Sequence, residues 1–244
     1  MVKFESTILT AALLIIGGCG DKNAQEPQSR PQKSSSLDQL ALEPQFAWLS
    51  TLSRVYPDEY KTVNALIQEK ADERASTIET RIALAGALKN IMSKHKELAM
   101  KASDAALIEY LARNTRVATA LLSQDVKACR DVFHGDLDPT VSLPDQTWKL
   151  MSEATSQLLI ASHEGEERPI QRTDTILTKT DYQAWRVGME KAGADADTFA
   201  IITDPARKAA ATPAQQCQVR SIMMEGALGL QPPIAAKITL NVLR

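Results

Sequence analysis

Glycine, aromatic residues, charge imbalance and long apolar runs are all scarce here, and each scarcity excludes something. Ten glycines are present, and three of them, Gly17, Gly18 and Gly20, fall within four positions near the start. The thin remainder favours helices. Aromatics make up 5% of the chain, and its 28 basic and 30 acidic residues nearly cancel, leaving a net charge of −2. There is no basic excess to grip nucleic acid and no acidic tail. No apolar run reaches the roughly 20 residues that a membrane-spanning helix needs. Of three cysteines none lies in a Cys-x-x-Cys arrangement, which disfavours thioredoxin-type redox chemistry. Also missing are a Gly-x-Ser-x-Gly elbow, a glycine-rich phosphate loop and a His-Glu-x-x-His motif.

What is present begins with export. Lys3 precedes an apolar stretch from Ile8 to Gly18 that only Thr10 interrupts. Its length suits a signal-peptide hydrophobic region. Ile16-Gly17-Gly18-Cys19 resembles the lipobox of bacterial lipoproteins: an aliphatic residue, two small residues, then cysteine. The resemblance implies removal of residues 1–18, lipidation of the Cys19 thiol and acylation of the new terminus, for example with palmitate. It covers the signal peptide alone. With Gly20, not aspartate, after the cysteine, the enterobacterial sorting pattern implies the outer membrane, with the domain in the periplasm. Residues 19–40 then read as the lipidated cysteine and a disordered tether, polar and proline-bearing (Pro27, Pro31). Such a tether typically spans about 20–25 Å.

Residues 41–244 carry helical signals throughout, so the expected fold is all-α: one multi-helix domain. Phe46, Leu49 and Leu52 or Trp48 would face inward from a short helix at 45–54. Pro57 with Asp58 and Glu59 marks the next start. Three capping-box patterns follow, Ser76-x-x-Glu79, Thr180-x-x-Gln183 and Thr212-x-x-Gln215. The first opens a helix running to about Lys101, with Ile78, Ile82, Ala85, Leu88 and Met92 inward. Ser103 or Asp104 caps a second long helix, and the two form a hairpin or a kinked pair. Asp125 to Val132 reads as a short helix carrying Cys129. A helix from about Gln146 to Ser162 stops at the Gly165–Pro169 stretch. Residues 175–178 and 238–243 are the only plausible strand fragments, and 234–243 is a last helix or an extended tail.

With Cys19 taken by lipid, Cys129 and Cys217 remain, an even pair in an oxidising compartment. They read as a disulfide or as two separate buried thiols. For chemistry, His134, Asp136 and Asp138 are weak metal candidates at alternate loop positions; helix exit and turn formation before Pro139 is the plainer reading. His163, Glu164, Glu166 and Glu167 offer an acid–base set or an exposed loop. His95, between Lys94 and Lys96, reads as part of a basic helix face. Glu59, Glu73 and Asp104 match helical glycosidase acids by residue type alone. Met223-Met224 is soft binding surface or core. No motif requires a cofactor.

The expected function is therefore a lipid-anchored protein-binding module of the bacterial envelope, with an envelope protein as partner. It would act as an inhibitor or immunity protein, or as an assembly subunit. The alternative is a peptidoglycan-active enzyme.

Overall fold

The first packed residues are Leu37 and Leu40, both buried on a single helical turn, Leu37–Leu40 (α1). The computed structural model describes residues 37–243. The expected signal segment, Cys19 and the expected tether up to residue 36 lie outside the described residues. The packed chain thus reaches back to residue 37, not 41, because two leucines three apart gain more from the core than from solvent.

A 3-10 turn at Pro44–Phe46, which buries Phe46, leads into α2 (Trp48–Val55), which buries Trp48, Leu49 and Leu52. α3 (Pro57–Asp72) starts on its proline with two acids in the first turn. α4 (Thr77–Ala99) is opened by the expected capping box. Ser76 Oγ accepts from the Glu79 N–H at 3.2 Å, and the Glu79 carboxylate accepts from the Ser76 N–H at 2.7 Å. Ser103 caps α5 (Asp104–Gln124). Asp125 ends that helix and caps α6 (Val126–His134), its carboxylate accepting from the N–H groups of Lys127 and Ala128. Gly135, at φ 74°, closes α6 in the left-handed conformation that its missing Cβ permits. α7 (Asp145–Glu167), α8 (Lys179–Lys191), α9 (Ala196–Thr203), α10 (Pro205–Ala210), α11 (Pro213–Leu228) and α12 (Pro232–Leu243) complete the chain. There is no strand among the described residues, so 175–178 is loop and 238–243 lies within α12.

α5 is the axis. It packs against α7, α11 and α12, and α7 also covers α4 and α2. Alternating small and large residues on α5, with Ala106, Leu107, Leu111, Val117, Ala118 and Leu121 buried, let the neighbours close in. The Cys129 and Cys217 sulfurs are bonded, with Cα atoms 5.8 Å apart, which joins α6 to α11 across 88 positions.

Several local expectations are corrected. Gly165 does not stop a helix: α7 runs through it to Glu167. A Cβ there would stand 2.0 Å from the Leu98 carbonyl oxygen, so the glycine is where α7 meets α4 backbone to backbone. Gly188 of α8 and Gly226 of α11 make a second such crossing, with a Cβ on Gly188 falling 2.2 Å from the Gly226 carbonyl oxygen. The capping box of α8 is Thr178 with Asp181, not Thr180 with Gln183. There Asp181 answers the Thr178 N–H at 2.9 Å and also meets Lys237 of α12 at 3.3 Å. Ile78 and Ile82 are exposed (56% and 49%), since the buried face of α4 is carried by Leu84, Ile91, His95 and Ala99. Nothing in the reading above anticipated α9 and α10, which are short and rest on Asp195 and Asp204 as caps.

Candidate functional site

A concentrated set of titratable groups forms where the start of α3, the second half of α4 and the end of α7 converge. Pro57 sets the start of α3 and places Glu59 in its first turn. Lys94 and His95 are adjacent on α4, and the helical twist sends them in different directions, Lys94 outward and His95 inward. His95 is 2% exposed. Its Nε2 lies 2.8 Å from each oxygen of Glu59, the geometry of an Nε2–H donated to a carboxylate. Lys94 Nζ also reaches Glu59. Tyr56 lays its ring on the His95 imidazole, with centroids 3.9 Å apart, and His163 of α7 meets the Tyr56 ring edge-on at 5.7 Å. Below, the buried Ser162 hydroxyl bonds the Leu158 carbonyl at 2.7 Å and lies 3.1 Å from the His95 carbonyl.

The electrostatics follow from burial and neighbours. Burial works against the charge on Glu59, but the hydrogen bonds from Lys94 and His95 outweigh it and hold its carboxyl below the usual range. Burial first, then the Glu166 carboxylate, push the Tyr56 hydroxyl far above the usual tyrosine range. General acid catalysis needs a carboxyl held above its usual range, and Glu59 is held below it. The other ring nitrogen of His95, Nδ1, is buried without a hydrogen-bond partner. A histidine so placed has no accessible nitrogen to offer a substrate. The dyad acts as a strut between α3 and α4, and His95 is not part of a basic surface.

The remaining candidates separate. Glu73 caps the far end of α3 and pairs with Lys70 at 2.6 Å. Fourteen helical residues put it about 20 Å from Glu59, too far for the two carboxylates of a glycosidase. Asp104 opens α5 and accepts from Arg172 at 2.7 Å. Glu164 accepts from the Ser103 N–H at 3.1 Å, and His163 stands 3.4 Å from Glu167 on its own helix. Thus His163–Glu167 is a helix end and not a loop. His134 ends α6, Asp136 lies 3.7 Å from Lys89, and Asp138 accepts from Thr140. Those three do not converge, and no group of three His, Cys, Asp or Glu among the described residues is arranged to hold a metal. Met224 is core, with Met223 packed against it.

Arg172 is a structural residue that sequence reasoning missed. Its guanidinium bonds the carbonyls of Met100 and Ala102 as well as Asp104, which ties the loop after α7 to the α4–α5 corner. An arginine within a Pro- and Thr-bearing loop carries no local sign of such a role. Two open clefts lie elsewhere. One of about 300 Å³ is bordered by Arg113, Ser152 and Glu153, and one of about 380 Å³ by Glu43, Arg81 and Trp148. No family model, curated protein or solved structure matches this chain.

Proposed function

We propose that this chain is a lipid-anchored envelope lipoprotein whose helical domain binds another envelope protein, as an inhibitor or an assembly subunit. The observation that carries the reading is the sealed Glu59–His95 dyad. The acid–base pair best suited to chemistry by residue type is spent on joining helices, inside a scaffold fixed by a disulfide and by glycine crossings. Rigid, pre-organised scaffolds of this kind favour recognition, because little conformational freedom remains to be lost on binding. The Ile16–Cys19 motif supports the anchor, and no helix among the described residues is long and apolar enough to cross a membrane.

The test is to express the intact chain with a C-terminal affinity tag, cross-link mildly in cells and identify what is retained. One stoichiometric protein partner, lost on prior heat denaturation, is the expected result. Retention of wall fragments or lipid without a protein would overturn the reading. In parallel, labelling with an alkyne-bearing palmitate analogue should mark the chain, and Cys19→Ser should abolish the label. A label that survives that substitution would refute lipidation at Cys19.

A further inference from the structure

Arg220 is out of place by the ordinary rules of burial. It lies in the middle of α11 with its Nε sealed from solvent and no hydrogen-bond partner, and it makes no ion pair among the described residues. Other buried or half-buried cations are matched. Arg113 meets Glu109 and Glu153, Arg172 meets Asp104, and Lys237 meets Asp174 and Asp181. Around Arg220 stand the Phe133 ring, 5.3 Å from the guanidinium carbon, and Tyr110, whose own hydroxyl burial keeps protonated. Desolvation lowers the hold of Arg220 on its proton, and no carboxylate among the described residues answers it. An uncompensated, largely desolvated cation is unfavourable, and an apolar residue of similar volume would pack there at less cost.

A covalent bridge also lies one helical turn from the group. Phe133 lies four residues beyond Cys129 on α6, and Arg220 lies three beyond Cys217 on α11. Such spacings put each side chain one turn along, on the same face as its cysteine. The disulfide therefore rivets the two helices directly beside the Arg220–Phe133 pair. The guanidinium stands over the Phe133 ring, and with Nε sealed the Nη1–Nη2 edge is the part left to meet a ligand. That edge presents two parallel N–H donors, which suits the two oxygens of a carboxylate.

We propose that Arg220, stacked on Phe133 and set by the Cys129–Cys217 bridge, is an anchor that receives the carboxylate of an acidic side chain from a protein partner. The source of that carboxylate rests on the protein-binding reading above; the anion site itself does not. Arginine flanked by aromatic side chains in a partly desolvated setting is the usual make-up of an energetic hot spot in protein interfaces.

The test uses the intact chain labelled with 15N-arginine, with acetate as the probe and chloride holding ionic strength constant. The expected result is a saturating shift of the Arg220 Nε–H resonance, while that of exposed Arg54 follows only the bulk solution. Acetate should also raise the melting temperature of the native chain. Arg220→Met should melt a few degrees higher without acetate and show no further rise with it. An Arg220 signal that moves no more than that of Arg54, or an equal acetate effect on Arg220→Met, would overturn the site. Inorganic phosphate acting at lower concentration than acetate would overturn the carboxylate assignment. With the cross-linked partner in hand, Arg220→Met should weaken its binding about thirtyfold. Equal binding by the variant would refute the anchor and leave the protein-binding reading standing. Absence of any partner would refute that reading and leave the acetate titration to judge the site.

Discussion

At the scale of single residues, His95 shows how far a side chain's role can lie from its neighbours in sequence. Flanked by Lys94 and Lys96, it reads as surface, yet its partner Glu59 is 36 positions away and only the packing of α3 on α4 brings them together. Local sequence could not disclose this, because the information sits in two separate helices. His95→Ala should lower stability by about 2 kcal/mol through the lost hydrogen bonds to a charged partner, measured by urea unfolding. The pH dependence has a defined sign. The folded chain holds Glu59 ionised more readily than the unfolded chain does. Its contribution is therefore complete above the ordinary glutamate value of 4.5, and is lost as pH falls through the lower folded value. Glu59→Gln should flatten the acid limb of a stability–pH curve; a limb of unchanged steepness would show that other carboxylates govern it.

Elements were readable in proportion to how local their signals are. The capping boxes at Ser76 and Thr212 and the proline starts of α3 and α11 depend on residues within one turn, and they stand where the sequence placed them. The inward face of α4 failed at Ile78 and Ile82, because periodicity indicates that a helix has an apolar stripe but not which turns a neighbour covers. Gly165 misled for a related reason. A glycine between His163-Glu164 and Glu166-Glu167 resembles a stop, whereas its purpose is the approach of α7 to the Leu98 carbonyl. Gly165→Ala should destabilise by about 1–3 kcal/mol, since the obstruction is backbone and not a movable side chain. Chemical unfolding that finds Gly165→Ala neutral or stabilising, as helix propensity alone would have it, would contradict that contact. Gly188→Ala and Gly226→Ala should each be destabilising, and the double variant less than the sum, because both strain one crossing.

At the scale of the whole molecule, the all-helical class was legible from composition and from the lack of strand alternation, and the Cys129–Cys217 bridge was one of the two readings open to that pair. What no composition reveals is the packing of α5 against α7, α11 and α12 at once, which is a matter of which faces meet. Cross-linking residues 88 apart should contribute about 4–5 kcal/mol by restricting the unfolded chain. Cys129→Ala/Cys217→Ala should therefore lower the melting temperature by on the order of 10 °C, read by circular dichroism. The same bridge also imposes an order of events on the newborn protein. As the chain emerges from its N-terminal end, Cys129 appears well before its mate, and α6 waits with an unsatisfied thiol until α11 arrives. With Cys19 lipidated as proposed, the nearest available thiol during that interval belongs to a neighbouring copy. Crowded synthesis should therefore yield covalent dimers through Cys129, and slower synthesis should suppress them.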